Sequence, residues 1–246
     1  MEVHQHTHTS DPDSHRGSKK WTHYFWEFFM LFLAVTLGFF VENQREKKYI
    51  QSFYEDLTAD EYDLQSNINF LRDQMLQADT LQKLMLHIDI RQPANLIYVY
   101  LRGITRSSGG RLYPNDRTIV QLRNAGGMRL IKNKSVSDSM VGYYRTIDII
   151  QFLTDEGLNN RRLLRERYMP LLNARDFIKV LDTTNSIVNV PENLYLRKMD
   201  PDIINECLIE IDRIRTLNLA LATRIQLLKE KAGRIKRFIK QEYHLK

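Results

Sequence analysis

A chain of 246 residues with only 10 glycines and 6 prolines has too little turn chemistry for a β-sandwich or a doubly wound α/β sheet, so its composition favours helices. The single cysteine excludes an intrachain disulfide, and the formal net charge of +6 is spread along predicted helices, which argues against a nucleic-acid partner. HExxH, GxSxG, paired cysteines and a phosphate-binding glycine loop are all absent from the sequence, so we do not expect an enzyme.

The first twenty residues form a polar tail without hydrophobic periodicity, and we expect this tail to be disordered. It is rich in histidine, with alternate imidazoles at His4, His6 and His8. On an extended chain, alternate imidazoles can share one Zn, Ni or Cu ion. A flexible tail lacks the outer hydrogen bonds that orient metal ligands, so a tail with no metal role is the other interpretation. No cofactor is predicted for the protein.

Residues 28–41, FFMLFLAVTLGFFV, are the most informative stretch because they contain no charged or amide side chain. Two tryptophans and a tyrosine precede this run, as in the aromatic belt at a membrane interface. Counted from Tyr24 to Val41 the segment has 18 residues, which as a helix measure about 27 Å, close to one hydrocarbon core. We therefore predict a single membrane-spanning helix over residues 21–43.

Two other kinds of segment share part of this pattern. A cleaved secretory signal also has basic residues before an apolar stretch, but cleavage needs small residues where this chain has bulky ones at positions 39–41. A core helix of a soluble domain is the second, since a run of about 10–14 apolar residues is short for a span. Because the run is apolar on every face, an uncleaved anchor fits the pattern best.

The number of flanking basic residues does not predict the orientation of the segment, but their distance from the apolar run does. Three basic residues lie on each side: Arg16, Lys19 and Lys20 before it, and Arg45, Lys47 and Lys48 after it. Because the Lys19-Lys20 pair lies closer to the apolar run, the positive-inside rule favours a cytoplasmic N-terminus. This orientation places the C-terminal domain in the periplasm, on a single-pass protein of the bacterial inner membrane.

One face of the predicted span carries a carboxylate and small residues. Glu27 is an intramembrane carboxylate, a type of residue that is often functional, and His23 lies one turn earlier on the same face. Ala34 and Gly38 continue this face and allow close approach of a second helix. We predict self-association through this face; the alternatives are that Glu27 extends to the headgroups, or that it handles protons or ions.

A long helix is predicted to follow the span, over residues 44–88. Apolar positions from Ile50 to Met85 alternate by four and three residues, a coiled-coil-like seam. No glycine or proline occurs between Glu42 and Arg91, and we expect the helix to end before Pro93.

A second long helix is predicted over residues 201–243, with Asp200 as its N-cap and Pro201 in the first position. Its seam, apolar except for Asn218, runs through positions 204, 207, 211, 214, 218, 221, 225, 228, 232, 235 and 239. Asn218 is predicted either to find a polar partner in a bundle core or to fix the register of an intermolecular zipper. Since the two long helices have similar lengths, we predict that they pack antiparallel.

The end of the last helix is basic. Its lysines and arginines are Lys229, Lys231, Arg234, Lys236, Arg237, Lys240 and Lys246. Such a stretch can contact anionic headgroups, but basic residues also suit the C-terminal end of any solvated helix.

Shorter elements are predicted between the long helices. One helix is expected over residues 94–106, and another opens at 114–116 and ends at Gly126, where a positive φ carries no steric penalty. A third long helix is predicted over residues 135–172, with Pro170 kinking or ending it.

Three further residues have predicted environments. Phe152 is expected on the apolar face of the third long helix, and Arg161 in a basic patch on its solvated face. Cys207 lies on the apolar seam of the last helix, so it is predicted to be a core residue rather than a nucleophile.

The span at residues 27–40, EFFMLFLAVTLGFF, and the segment at 118–144, TIVQLRNAGGMRLIKNKSVSDSMVGYY, together resemble a family of proteins. They are similar to uncharacterised single-span bacterial membrane proteins with a helical domain of unknown function, common in Bacteroidota-type genomes. The resemblance covers the span and the middle third best, and the last helix only in kind. It implies a protein of the cell envelope without known chemistry, so no catalytic residue is carried over.

Taken together, the patterns predict an all-α protein in which an N-terminal transmembrane helix continues into a long-helix bundle. The domains are a tail at 1–20, a span at 21–43 and a bundle at 44–246. We expect a non-catalytic scaffold or protein-interaction module, with the bilayer and either a second copy or an envelope protein as partners. The alternative is an envelope sensor whose bundle binds a ligand. An exposed apolar stripe would favour the scaffold, and a pocket with convergent polar side chains the sensor.

Overall fold

A computed structural model describes residues 16–86, 112–124, 126–177, 180 and 196–245. Their regular structure is helical throughout, which confirms the predicted all-α class. In these residues the α-helices are α1 (Arg16–Leu86), α2 (Arg117–Asn124), α3 (Lys134–Tyr168), α4 (Ala174–Phe177) and α5 (Pro201–Tyr243). Short 3₁₀ helices follow α2 and α3, at Gly127–Leu130 and Met169–Leu171.

The chain divides into two compact units, Met1–Lys48 and Tyr49–Lys246, and α1 contributes residues to both. In the first unit α1 begins at Arg16, so residues 16–20, which were predicted to belong to the disordered tail, are helical. The most apolar window of this helix has no buried residue. Within its described residues, the structure therefore contains one helix that is long and apolar enough to cross a membrane.

In the second unit α1 and α5 run antiparallel. Lys236 Nζ pairs with Glu61 Oε2 at 3.0 Å, and Arg215 pairs with Asp79 further along α1. Residue numbers therefore rise along one helix as they fall along the other. This arrangement confirms the predicted antiparallel packing of the first and last long helices.

The third long helix, α3, completes a three-helix bundle. The Tyr143 hydroxyl donates to Asp60 Oδ2 at 2.8 Å, and Arg161 Nη1 donates to Gln74 Oε1 at 2.9 Å. Between these two contacts the residue numbers rise in the same direction along α1 and α3. Helix α3 therefore runs parallel to α1 and antiparallel to α5.

The start of α5 follows the predicted capping chemistry. The Asp200 carboxylate accepts hydrogen bonds from the backbone N–H groups of Asp202 and Ile203, and Pro201 occupies the first helical turn. All the predicted seam positions from 207 to 239 are buried, whereas Ile204 is half-buried. Periodicity therefore predicted both the beginning and the inward face of this helix.

The boundaries of α2 and α3 also follow local chemistry. Gly126 has φ +60°, a left-handed conformation that only glycine adopts without strain, and it follows α2 as predicted. The Asn133 side chain caps α3 by accepting from Val136 N at 3.3 Å. Pro170 lies in the 3₁₀ turn after Tyr168, so it ends this helix rather than kinking it.

Two predictions about α3 are wrong. Phe152 is 69% exposed, and Arg161 is only 8% exposed. The inward positions of α3 include Ile150, Thr154 and Arg161, and Phe152 lies about half a turn away from Ile150 and Thr154. The apolar pattern of the sequence placed the inward face incorrectly at both residues.

Candidate functional site

Three polar side chains meet in the middle of the bundle, one from each long helix. They are Gln74 of α1, Arg161 of α3 and Asn218 of α5. Arg161 Nη1 donates to Gln74 Oε1 at 2.9 Å, and its Nη2 donates to Asn218 Oδ1 at 3.5 Å. We call these three residues the polar layer.

The polar layer divides the apolar interior into two clusters. The first cluster takes its residues from 50–71 of α1, 112–131, 136–150 of α3 and 221–239 of α5. The second takes its residues from 78–85 of α1, 164–180 and 207–214 of α5. Because the two clusters share no residue, the halves of the bundle are packed separately on either side of the layer.

The polar layer carries a buried positive charge with neutral partners. No carboxylate in the part of the chain that the structure describes forms an ion pair with Arg161, and burial lowers the pKa of its guanidinium. Asn218 is 3% exposed, and its Nδ2 has no hydrogen-bond acceptor. A buried polar layer of this kind costs stability but permits only the register in which its members meet.

The position of Asn218 bears on the two interpretations that its sequence context left open. Its carboxamide oxygen accepts from Arg161 of the same chain, inside the bundle. This is the arrangement expected for a core asparagine with an intrachain partner. Since the side chain is buried within one copy, it is not displayed on a surface where a zipper partner would lie.

A pair of buried carboxylates on α1 holds the start of α2. Asp60 Oδ1 accepts from the backbone N–H of Asn115 at 2.7 Å and from its side-chain Nδ2 at 2.8 Å. One turn earlier, Asp56 Oδ2 accepts from Thr118 N at 3.1 Å. Negative charge is favourable beside the unsatisfied N–H groups that begin a helix. The pair therefore attaches α2 to α1.

Tyrosine side chains of α3 complete this network. Tyr143 donates to Asp60 Oδ2 at 2.8 Å, and Tyr144 donates to the carbonyl of Asn115 at 2.9 Å. Burial raises the pKa of Asp60 above its ordinary value of 3.8, and this effect outweighs the hydrogen bonds from Asn115 and Tyr143. Burial, and next the Asp60 charge, raise the pKa of Tyr143, which keeps its hydroxyl protonated as a donor.

The chemistry of this carboxylate pair is structural. Both oxygens of Asp60 accept hydrogen bonds from protein donors, so they are not free to bind a metal ion. Across the described residues, no group of three or more His, Cys, Asp or Glu side chains is arranged to hold a metal. The roles of these residues were not predicted from the sequence, although Phe53, Asp56 and Asp60 form a second buried stripe beside the predicted seam.

The predicted interaction face of the apolar segment lies in the first unit, where its side chains are exposed. His23 Nε2 lies 3.1 Å from Glu27 Oε1, so the two residues share one face of the helix, as their spacing predicted. Ala34 is exposed, and a Cβ atom placed on Gly38 would meet no other atom within 4 Å. The small-residue face is thus open for contact. The predicted metal ligands lie outside the described residues; they are His4, His6 and His8.

Two clefts of about 240 Å³ each lie on the second unit. One is apolar and is lined by Met85, Leu86, Met199, Pro201, Ile204, Asn205 and Leu208. The other is mixed and is lined by Leu112, Tyr113, Gln151, Thr154 and Asp155. Neither cleft contains a residue of the polar layer or of the Asp56–Asp60 pair. A third cleft, of about 330 Å³, is charged and is lined by Glu61, Gln226, Lys229, Glu230, Gly233, Arg234 and Arg237. Polar groups therefore converge at this cleft as well as inside the bundle.

The one cysteine is a core residue in the structure, as predicted. Cys207 is fully buried in the second apolar cluster, and burial raises the pKa of its thiol to about 12. A thiol with this pKa is almost entirely protonated at neutral pH, and the thiolate is the nucleophilic form. Cys207 therefore contributes packing.

Comparison with known proteins supplies no relative from which a role can be transferred. The chain matches no protein-family model, and no curated protein and no solved structure is significantly similar to it. Function is therefore inferred from the residues themselves, namely the exposed apolar segment, the polar layer and the surfaces of the bundle.

Proposed function

We propose that this protein is a single-pass protein of the bacterial inner membrane that presents its helical bundle as a non-catalytic scaffold or protein-interaction module. The observation that carries the proposal is the exposure of the apolar side chains over residues 21–41. Each large apolar side chain gains about 1.5–3 kcal/mol when it leaves water. An apolar surface of this extent is uncommon on a soluble monomer, and a bilayer would cover it.

The surface of α3 supports an interaction module. Val141, Ile149 and Phe152 are exposed apolar residues, and they fall within about 80° of one another around the helix axis. This α3 stripe is the feature expected of a scaffold, because exposed apolar patches mark protein contacts. A partner protein of the envelope that presents an apolar helix or loop fits such a stripe.

A sensor is the second candidate, and the polar layer supports it. Two separately packed clusters joined by a weak layer can repack independently, so a ligand that binds one half could alter the other. The layer of Gln74, Arg161 and Asn218 would be the hinge of such a change. The exposed α3 stripe has no role in this alternative, and for this reason we place it second.

Membrane fractionation tests the anchor. The intact chain should remain with membranes after high-salt washing, because apolar burial is insensitive to screening. The double variant Leu33→Arg/Leu37→Arg should reduce this partition, since each central arginine costs about 2.5–3.5 kcal/mol in a span. Leu76→Arg, a change at an exposed leucine of the bundle, is the control and should have no effect. Recovery of the unmodified chain in the soluble fraction would refute the anchor.

Reporters and crosslinking test the orientation and the module. A reporter that is active only in the periplasm should give signal when fused after the C-terminus and none when fused before the N-terminus. A photo-crosslinking residue at Phe152 should give one discrete adduct, whereas the same residue at Leu219, a similarly exposed position of α5, should not. Equal crosslinking at both positions, or none at either, would contradict the α3 stripe as the interaction surface.

We also propose that copies associate through the face formed by Glu27, Ala34 and Gly38. Gly38→Ile should weaken this association, because a small residue lets helix backbones approach closely in lipid. Sedimentation in detergent measures it, with Leu37→Ile as the control on the neighbouring position. A monomer at every accessible concentration would exclude this contact.

A further inference from the structure

Parts of three helices meet at one end of the second unit. Asn133, which caps α3, donates from Nδ2 to Glu242 Oε1 at 2.9 Å, and Glu242 lies in the last turn of α5. Ile50 of α1 and Ile239 of α5 are fully buried in the same apolar cluster. This end therefore contains the start of the bundle portion of α1, the start of α3 and the finish of α5.

Exposed cations from two helices collect at this end. Lys132 and Lys134 lie at the start of α3, and Arg237 and Lys240 lie in the last turns of α5. Within the described part of the chain, Lys134, Arg237 and Lys240 have no carboxylate partner. We call these four residues the basic end.

A solvated helix terminus accounts for only half of the basic end. Basic residues stabilise the C-terminal end of a helix, which explains Arg237 and Lys240. The opposite sign is favourable at an N-terminus, yet α3 starts with Lys134 and has no acidic residue in its first turn. Lys134 is therefore unfavourable for its own helix, and an external anion would compensate for this.

The nearby carboxylates leave an excess of positive charge. Glu242 is hydrogen-bonded to Asn133, and Glu61, further along α1, pairs with Lys236. Asp138 is exposed in the second turn of α3. Glu61 and a further acid, Glu230, line a cleft together with Arg237. The same cleft also contains Lys229 and Arg234, so in the described residues of this end cations still outnumber acids.

The sequence links this end closely to the apolar segment. Tyr49, the first residue of the second unit, follows Val41 by eight positions. Even a fully extended link of this length spans at most about 28 Å. In the proposed function the second unit is therefore joined to the bilayer by a short covalent link.

We propose that the basic end docks onto the headgroups of anionic phospholipids in the membrane that anchors the chain. This inference rests on the proposed function, because it needs the anchor to bring the surface close. Each basic residue near an anionic leaflet raises the equilibrium constant for binding to that leaflet by roughly fivefold. Raising the salt from about 0.1 M to 1 M shortens the screening length from about 10 Å to 3 Å and should release the contact.

The full chain in lipid vesicles tests the proposal. A spin label on Gln241→Cys reports the environment of the basic end, and the buried Cys207 stays unlabelled in the folded protein. Its accessibility to oxygen, relative to a water-soluble nickel chelate, is measured in phosphatidylcholine vesicles with and without phosphatidylglycerol. Oxygen accessibility should rise with phosphatidylglycerol and fall again in high salt.

Charge-matched variants identify the residues responsible. Arg237→Gln/Lys240→Gln should weaken the contact by about twentyfold or more, from roughly fivefold per residue. Arg224→Gln/Lys83→Gln removes the same charge at exposed positions away from the basic end and should behave like the parent.

The outcomes separate this inference from the anchor. If the chain floats with both kinds of vesicle but phosphatidylglycerol does not change the oxygen accessibility of the label, the docking proposal is wrong and the anchor proposal stands. Equal behaviour of the two double variants would also overturn it. If the chain floats with neither kind of vesicle, the proposed anchor fails and the docking fails with it.

Discussion

Replacing the polar layer with apolar side chains should stabilise the bundle. Arg161 is nearly buried and donates only to neutral oxygens, so the desolvation of its charge is compensated by hydrogen bonds alone. The effective desolvation penalty for a buried ion is several kcal/mol, and a hydrogen bond from a charged group returns about 1.5–3 kcal/mol. We therefore expect the double variant Arg161→Met/Asn218→Ile to gain about 1–4 kcal/mol of unfolding free energy.

The single variants should reveal why both residues must change together. Arg161→Met alone leaves the Asn218 amide buried with neither donor nor acceptor, which costs about 1–3 kcal/mol and offsets the gain. Gln74 is half-buried, so water can satisfy its amide after the change. A coupling energy between the two substitutions should therefore appear in a double-mutant cycle. Asn218→Ile alone removes one of the acceptors of the Arg161 guanidinium, so it should raise the unfolding free energy only a little.

Urea unfolding of the full chain in a mild detergent, followed by circular dichroism, measures these differences. Arg162→Met is the matched control, because the neighbouring Arg162 is exposed and pairs with Glu166 on the surface; its effect should stay within about 0.5 kcal/mol. A double variant less stable than the parent by 1 kcal/mol or more, with an unchanged m-value, would refute the reasoning. It would mean that the Arg161 charge is compensated in the folded state.

The other predictions concern the carboxylate pair, two glycines and the cysteine. Burial raises the pKa of Asp60 above 3.8, so the folded state binds this proton more tightly than the unfolded state does. The ionisation of Asp60 therefore does not affect the unfolding free energy below pH 3.8. It lowers that free energy as the pH rises from 3.8 through the folded pKa. Asp60→Asn should therefore gain stability relative to the parent between acidic and neutral pH, and a constant difference in urea midpoints would contradict this. Gly126→Ala should cost about 1 kcal/mol because φ is +60°. Gly233→Ala, inside α5, should gain about 0.5–1 kcal/mol, because an added Cβ would meet the flexible Arg237 side chain at an ordinary contact distance of 3.7 Å. The two urea midpoints must shift in opposite directions. Cys207 should react with a thiol reagent only as fast as the protein unfolds, and rapid labelling of native protein would show that it is accessible.

Local chemistry in the sequence determined several features without reference to the rest of the chain. Asp200 and Pro201 specify the start of α5, Gly126 supplies the left-handed turn after α2, and Pro170 ends α3. Helical periodicity identified the buried seam of α5, and hydropathy identified the exposed apolar segment. These properties depend on residues within about two turns of each other, so a single sequence contains all the information they need.

Tertiary packing decided what the polar residues do. Asp60 meets Tyr143 across 83 positions, and Arg161 meets Gln74 across 87, so neither pair is visible in any local pattern. Periodicity placed Phe152 inside and Arg161 outside, but the parallel placement of α3 against α1 turned a different side of the helix inward. A helix's own sequence shows that it has an apolar side, whereas its neighbours determine how wide that side is and which polar groups are buried along it.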